Sequence, residues 1–215
     1  MSSLIQKLHP AVHPGRQLAL CGSRQPLFSR QGVWDSGSSL HCVAMALALL
    51  GKLPDPVDVR GYASGPAAHF WDRAWPHYLH GLAPSELAAF IWELRADVQP
   101  VEAQGPPDEL LRFCAQELAA GWPAIVWIFK PDTEERHAAL VTGIEELGGV
   151  PRALLLLDPA AVAPVLAACN ARLEFDGVHA PDASYITAEA VVGATLDSAI
   201  SICRQQGSVT GACCA

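Results

Sequence analysis

Three residues of this chain have the types that nucleophilic hydrolysis needs: a hydroxyl at Ser38, an imidazole at His137 and a carboxylate at Asp158. That chemistry requires an OH or SH able to lose its proton, a base within hydrogen-bond reach, and a third group holding the base in one tautomer. Ser38 lies in Gly37-Ser38-Ser39 ahead of an apolar run, where the unpaired N–H groups and dipole of a helix start favour an anion. His137 opens one apolar run and Asp158 closes the next, 21 residues later, a separation that two short strands and a turn span. Taken singly, each has a plainer role. Ser38 suits an N-cap, worth about 1 kcal/mol, His137 a strand end, and Asp158-Pro159 a turn. Their joint order favours the catalytic reading.

The elements that must position these residues follow from periodicity. Leu40, Val43, Ala44, Leu47, Ala48 and Leu50 describe a helix over 38–50 that stops at Gly51 and is apolar nearly all round, hence central and buried. Pro84 opens a helix to about Arg95, and Pro106-Pro107-Asp108 announces another to Ala120. Runs at 124–129, 137–144 and 153–158 read as strands, with Gly148-Gly149 turning the second into the third. A helix over Ala161 to Ala168, a strand at Ser184 to Thr187, a helix from Ala188 and a last strand near Ser198 to Cys203 complete the reading. Residues 1–30, with Pro10, Pro14 and Pro26, read as an irregular arm with a short strand near Gln17 to Cys21. The tail 206–215 reads as flexible, leaving 31–205 as one domain. Helices first and an antiparallel sheet afterwards predict an α+β fold with its site in a cleft between two lobes.

Composition limits the function. Of 215 residues, 51% are hydrophobic and 17% charged, which predicts a globular chain. A net charge of -8 without a basic stripe argues against nucleic acid as a partner. No apolar run reaches the roughly 20 residues that span a bilayer, so no membrane role is expected. Met1 to Pro14 lacks the basic-then-apolar pattern of a secretory signal, which predicts a cytoplasmic protein, exported only by a dedicated machine. Seven cysteines without CxxC or zinc spacing point to reduced thiols, and neither metal nor cofactor is expected.

At this point the residues acquire a family likeness. The run from Ser38 to Gly51, with Cys42 and Met45, resembles the catalytic helix of the bacterial peptidases that cut after double-glycine leaders, where Cys-Gly-x-x-Cys-Leu-Ala-Met leads to a Gly. His137-Ala-Ala-Leu-Val-Thr-Gly143 and Leu157-Asp158-Pro159 are similar to that family's His strand and Asp-Pro element. The resemblance covers about Gln31 to Pro159. It implies a papain-like two-lobed fold with a central buried helix against an antiparallel sheet, and a cysteine peptidase cutting after small residues such as Gly-Gly. It also implies oxyanion stabilisation by Gln31, for which Ser36 or the Ser38 N–H are alternatives. Gln31 lies seven residues before Ser38, one more than papain-like enzymes lead one to expect.

Ser38 stands where the family has Cys. A site tuned to ionise a thiol leaves an alcohol almost unreactive, so the chain as written is expected to be inactive. Three accounts of Ser38 stay open: a Cys-to-Ser replacement, favoured because the other elements are intact; a degenerate, non-catalytic peptide-binding module; or a working serine. The partners expected are a polypeptide substrate and, for a toxin delivered into rival cells, an immunity or inhibitor protein. Cys42, one turn inside the apolar helix, is expected to be inert packing, and His41 a surface or interlobe residue. His77 and His80 lack a third ligand, and Trp34, Trp71 and Trp75 are expected to pack more than to line a cleft.

Overall fold

The computed structural model describes residues 3–32, 35–57, 65–175 and 183–205. The apolar runs of the C-terminal half become strands buried on both faces. In β5 (Ala124–Lys130), Ala124, Val126 and Ile128 join one core while Ile125 and Trp127 join another. The same split divides Ala139 and Val141 from Ala138 and Leu140 in β6 (Glu135–Leu147), and Leu196 and Ala199 from Ile200 and Ile202 in β10 (Val191–Arg204). Alternation therefore holds in β5 and β6, and in β10 on either side of a bulge at Asp197, but both faces are covered, so the sequence shows no polar face.

The first core is the inside of a barrel. β6, β5, β10, β9 (Ala183–Thr187), β8 (Ala171–Phe175) and β7 (Val150–Leu157) are hydrogen-bonded in that order, and β7 pairs back onto β6. All pairings are antiparallel, and closure leaves these six strands without a free edge. β6 and β10 are long enough to serve two neighbours in succession. Beyond β5, β6 pairs with β1 (Leu4–Leu8) over 143–147, and beyond β9, on the edge opposite β5, β10 pairs with β4 (Val98–Gln104) over 198–204. A Cβ on Gly143 would lie 2.8 Å from the Lys7 carbonyl, so only glycine lets β1 approach that closely. The shorter strands β2 (Val12–His13) and β3 (Ala19–Leu20) pair separately. The barrel core is filled by Leu154, Leu156, Leu173, Phe175 and Tyr185, together with Leu110, Leu111, Cys114 and Leu118 of the helix that follows β4, α4 (Pro107–Ala119).

Outside the barrel, α1 (Ser38–Leu49) has all twelve residues buried. It packs on Ile125, Trp127, Ala138 and Leu140 and is covered by α2 (Pro66–Ala74), α3 (Pro84–Glu93) and Leu18, Leu27 and Leu53 of the flanking segments. Each large apolar side chain buried there contributes about 1.5–3 kcal/mol. The helix ends in a Schellman motif: Gly51 takes φ 71°, its N–H reaches Ala48 O, and Lys52 N–H reaches Leu47 O at 2.8 Å. No helix of the described residues is long and apolar enough to cross a membrane.

The α+β, papain-like two-lobed fold expected from the sequence is therefore not the one this chain adopts. The molecule is mostly β, a closed six-stranded antiparallel barrel with four short α-helices among the described residues. Two predicted helices account for part of the difference. Ala161 to Ala168 is irregular, with bends on either side of Pro164, and 188–190 is the turn between β9 and β10. There Thr187 Oγ1 accepts the N–H groups of Glu189 and Ala190, which gives the backbone a local alternative to a helix. The arm expected to be irregular over 1–30 instead supplies β1. Trp34 and the tail 206–215 lie outside the described residues.

Candidate active site

The loop before α1 is built around one carboxylate. Asp35 Oδ1 accepts Gly37 N–H at 3.0 Å and Oδ2 accepts Gly32 N–H at 2.5 Å, and the Asp35 charge also acts on the Tyr78 hydroxyl. Ser36 N–H donates to Tyr78 O and Leu82 N–H to Ser39 Oγ, which fastens the 78–82 segment to the same loop. Gly37 is the N-cap and makes no side-chain cap bond, so Ser38 is the first helical residue and its hydroxyl is free of capping. The first intrahelical bond runs from His41 N–H to Gly37 O. The N–H groups of Ser38, Ser39 and Leu40 are thus first-turn donors, available to an anion. Ser38 Oγ, nearly buried, accepts Ala138 N–H at 3.4 Å.

Ala138 follows His137 on β6, so the hydroxyl touches the backbone beside the predicted base. The register that pairs Leu140 with Leu157 brings the start of β6 alongside the end of β7. His137 Nε2 is hydrogen-bonded there to Asp158 Oδ1. Asp158 Oδ1 also accepts Ala160 N–H at 2.8 Å, and Oδ2 accepts the Tyr185 hydroxyl. Asn170 clasps the backbone of Asp158 on both sides, accepting its N–H at 2.7 Å and donating to its carbonyl at 2.8 Å. Burial alone would raise the Asp158 carboxyl, but the His137 hydrogen bond and charge, with Tyr185 and Ala160, bring it below its ordinary value. Burial and the Asp158 charge push the Tyr185 hydroxyl up, so it remains a donor.

The structure thus brings His137, Asp158 and Tyr185 into one hydrogen-bonded chain. Ser38 reaches that chain through the Ala138 N–H, and among the described residues no hydrogen bond joins its Oγ to the His137 ring. Gln31 lies beside the same elements, its N–H donating to Pro159 O at 2.8 Å. Its amide Nε2 donates to the Asp35 carbonyl, which makes Gln31 a strut between the two loops, while its buried Oε1 has no partner among the described residues. Ser38 and Asp158 open onto different cavities. Ser38 lines one of about 300 Å³ with Gly81, Trp127 and Arg136, and Asp158 and Tyr185 line a larger one of about 640 Å³.

Tyr185, Asn170, Asp35 and Trp127 were not singled out in the sequence. Tyr185 is 27 residues from Asp158 and reaches it only across β7, β8 and β9. His41, expected at a surface or interlobe position, is fully buried. Its Nδ1 meets Ser29 Oγ at 2.8 Å, its Nε2 lies 3.6 Å from Asp35 Oδ2, and its ring tilts against Trp71 and Tyr78. Burial lowers the His41 pKa, against the opposing pull of Asp35, and the Tyr78 hydroxyl is pushed up to about 12 by burial and by Asp35. Cys42 is fully buried, and burial followed by the Asp158 charge pushes its thiol well up, so it stays protonated. Among the described residues no group of three His, Cys, Asp or Glu side chains is arranged to hold a metal ion.

These shifts fix a pH dependence. His41 and His9 both have pKa values lowered by burial, so below about pH 6.5 the unfolded chain binds protons that the folded chain resists. Their stability contribution is complete above pH 6.5 and is lost as pH falls through the lowered values. Asp158, also lowered, adds a further loss only below its unfolded value of 3.8. The expected result is a melting temperature that declines from pH 6.5 to 5, read by calorimetry; a flat profile over that interval contradicts it.

No protein-family model matches the chain, and no curated protein matches it at a significant level.

Proposed function

We propose that this chain is a peptide-bond hydrolase domain whose nucleophile belongs at position 38, with His137 as the base and Asp158 as the residue that orients it. The observation that carries the reading is the His137–Asp158–Tyr185 chain, on the strand whose next N–H holds Ser38 Oγ at the start of α1. With Nε2 directed to Asp158, Nδ1 of His137 is the nitrogen that would take the proton from position 38. The thiolate of a cysteine there would attack the carbonyl, His137 would return the proton to the leaving amine, and water would release the acyl group. The first-turn N–H groups of α1 are the oxyanion donors in this scheme, because the Gln31 amide is engaged by Asp35.

The substrate is a polypeptide. The resemblance to double-glycine peptidases, carried by the residues between Gln31 and Pro159, suggests small residues before the cut. Two settings suit such a domain: maturation of a peptide product, or a toxin exported by a dedicated system and restrained by an immunity protein. A second reading, a peptide-binding module without turnover, is favoured by one feature, the lack of a Ser38–His137 hydrogen bond among the described residues.

The test is Ser38→Cys. We expect peptide hydrolysis where the Ser38 chain has almost none, and alkylation of the new thiol by iodoacetamide at neutral pH faster than a free thiol of pKa about 8.5 allows. A Ser38→Cys protein that binds peptides, is alkylated at that position no faster than a free thiol and cleaves nothing leaves the binding module as the answer.

A further inference from the structure

The cavity that Ser38 lines is also lined by a charged pair, Arg136 and Asp197, that the proposed chemistry does not use. Arg136 lies two residues before Ala138 on β6, about 7 Å further along the strand at ~3.4 Å per residue. Between Leu196 and Ser198 the register of β10 against β5 shifts, and the extra residue of that bulge is Asp197. Bulges of this kind re-aim a side chain, and here Asp197 meets Arg136 Nε at 3.5 Å. The guanidinium also lies 5.7 Å from the centre of the Phe129 ring, its cross-strand neighbour. Asp197 thus meets the side chain at Nε, and the guanidinium carbon lies over the Phe129 ring. Among the described residues no hydrogen bond engages Nη1 or Nη2, and the Arg136 side chain is 63% exposed.

A guanidinium steadied in this way, with its forked end free, is matched in geometry to a carboxylate. We infer that the Ser38 cavity selects a polypeptide carrying a carboxylate, bound by Arg136, about two residues from the bond presented to position 38. The inference rests on the proposed function for the identity of that bond. Two sources supply the same chemistry, an Asp or Glu side chain and a free C-terminus. Asp197 is the positioning residue of this subsite, and Trp127 and Gly81 are its walls.

The experiment uses the Ser38 chain, so that binding is read without turnover. A library of N-acetylated tetrapeptides is offered as free acids and as C-terminal amides, and the bound fraction is identified by mass spectrometry. We expect peptides with a carboxylate to be retained roughly tenfold over matched Gln or amide forms, and Arg136→Gln to abolish the preference. Enrichment of Asp or Glu among the amides identifies a side chain as the source, and enrichment of free acids alone identifies the C-terminus. No retained peptide, no carboxylate preference, a preference for basic peptides, or a preference that survives Arg136→Gln each overturns the inference. The same library is then given to the Ser38→Cys chain. Carboxylate-selective binding without cleavage defeats the hydrolase reading and spares Arg136, whereas cleavage indifferent to carboxylates does the reverse.

Discussion

Asp158→Asn, made in the Ser38→Cys protein, is expected to lower kcat/KM by roughly 10³–10⁴-fold, the scale of the corresponding change in a Ser-His-Asp triad. The carboxylate does two things that an amide cannot do together. It accepts from His137 Nε2 at Oδ1, and it accepts the Tyr185 hydroxyl at Oδ2. An asparagine keeps one acceptor and turns the other into a donor. With the donor toward His137, the Ala160 N–H loses its acceptor and the ring must carry its proton on Nδ1, so the nitrogen that faces the nucleophile in our scheme ceases to be a base; with the donor toward Tyr185, that hydroxyl must accept and the His137 bond loses its charge assistance. The negative charge that would stabilise the imidazolium is lost as well. The fold should survive, because Asn170 holds the backbone on both sides of residue 158 and the substituted side chain keeps its size. The measurement is therefore kcat/KM together with the melting temperature. A loss of less than about tenfold, with the fold intact, removes Asp158 from the mechanism.

The approach of His137 to Asp158 was legible because the parts that bring it about are local. Gly37 and Gly51 bracket the apolar run of α1, and Gly148-Gly149, at φ 62° and 83°, turns β6 into β7. With that hairpin placed, a His near one strand start and an Asp just past the next strand end had to come close. Closure of the barrel could not be read in the same way. It depends on β7 pairing with β8, β8 with β9 and β9 with β10, and those strands carry weak signals: Arg172 and Glu174 in β8, and Gly193 and Asp197 in β10. Of β10 only the second half is apolar enough to stand out as a strand, and β8 does not stand out at all. Ala-rich Ala161 to Ala168 follows helix propensity until Pro164 interrupts it, and propensity yields there to the bends that Asn170 ties to Asp158 and Val162. The polar groups missed from the sequence share one property. Tyr185 acts on a partner 27 residues away, and Asp35 and His41 act on a loop, 29–37, whose path is set by tertiary packing, and periodicity carries no information about such partners.

Gly81 joins this loop packing to the site, and Gly81→Ala is expected to cost about 2–4 kcal/mol, combining left-handed strain with overpacking. Its φ is 68°, which costs a non-glycine residue roughly 1–2 kcal/mol. The added Cβ would also stand 2.5 Å from the Ser36 carbonyl oxygen, and neither group is a flexible side-chain tip that can swing aside. The segment cannot simply retreat. Gly81 N–H is bonded to His77 O at 2.8 Å, Leu82 N–H to Ser39 Oγ, and Ser36 N–H to Tyr78 O. Relief must come from moving Ser36 to Ser39, the loop that sets position 38. A chain of this size should lose roughly 5–15 °C in Tm, and the Ser38→Cys form of the variant should lose activity beyond what its folded fraction explains. Gly51→Ala separates the two causes. It has nearly the same φ, 71°, but open space where its Cβ would go, and it lies at the far end of α1. Its cost should therefore be the strain alone, about 1–2 kcal/mol, with the activity of the folded protein unchanged. Equal losses at the two glycines would show that the 78–82 segment yields without disturbing Ser36, and that the wall of the Ser38 cavity does not hold the nucleophile in place.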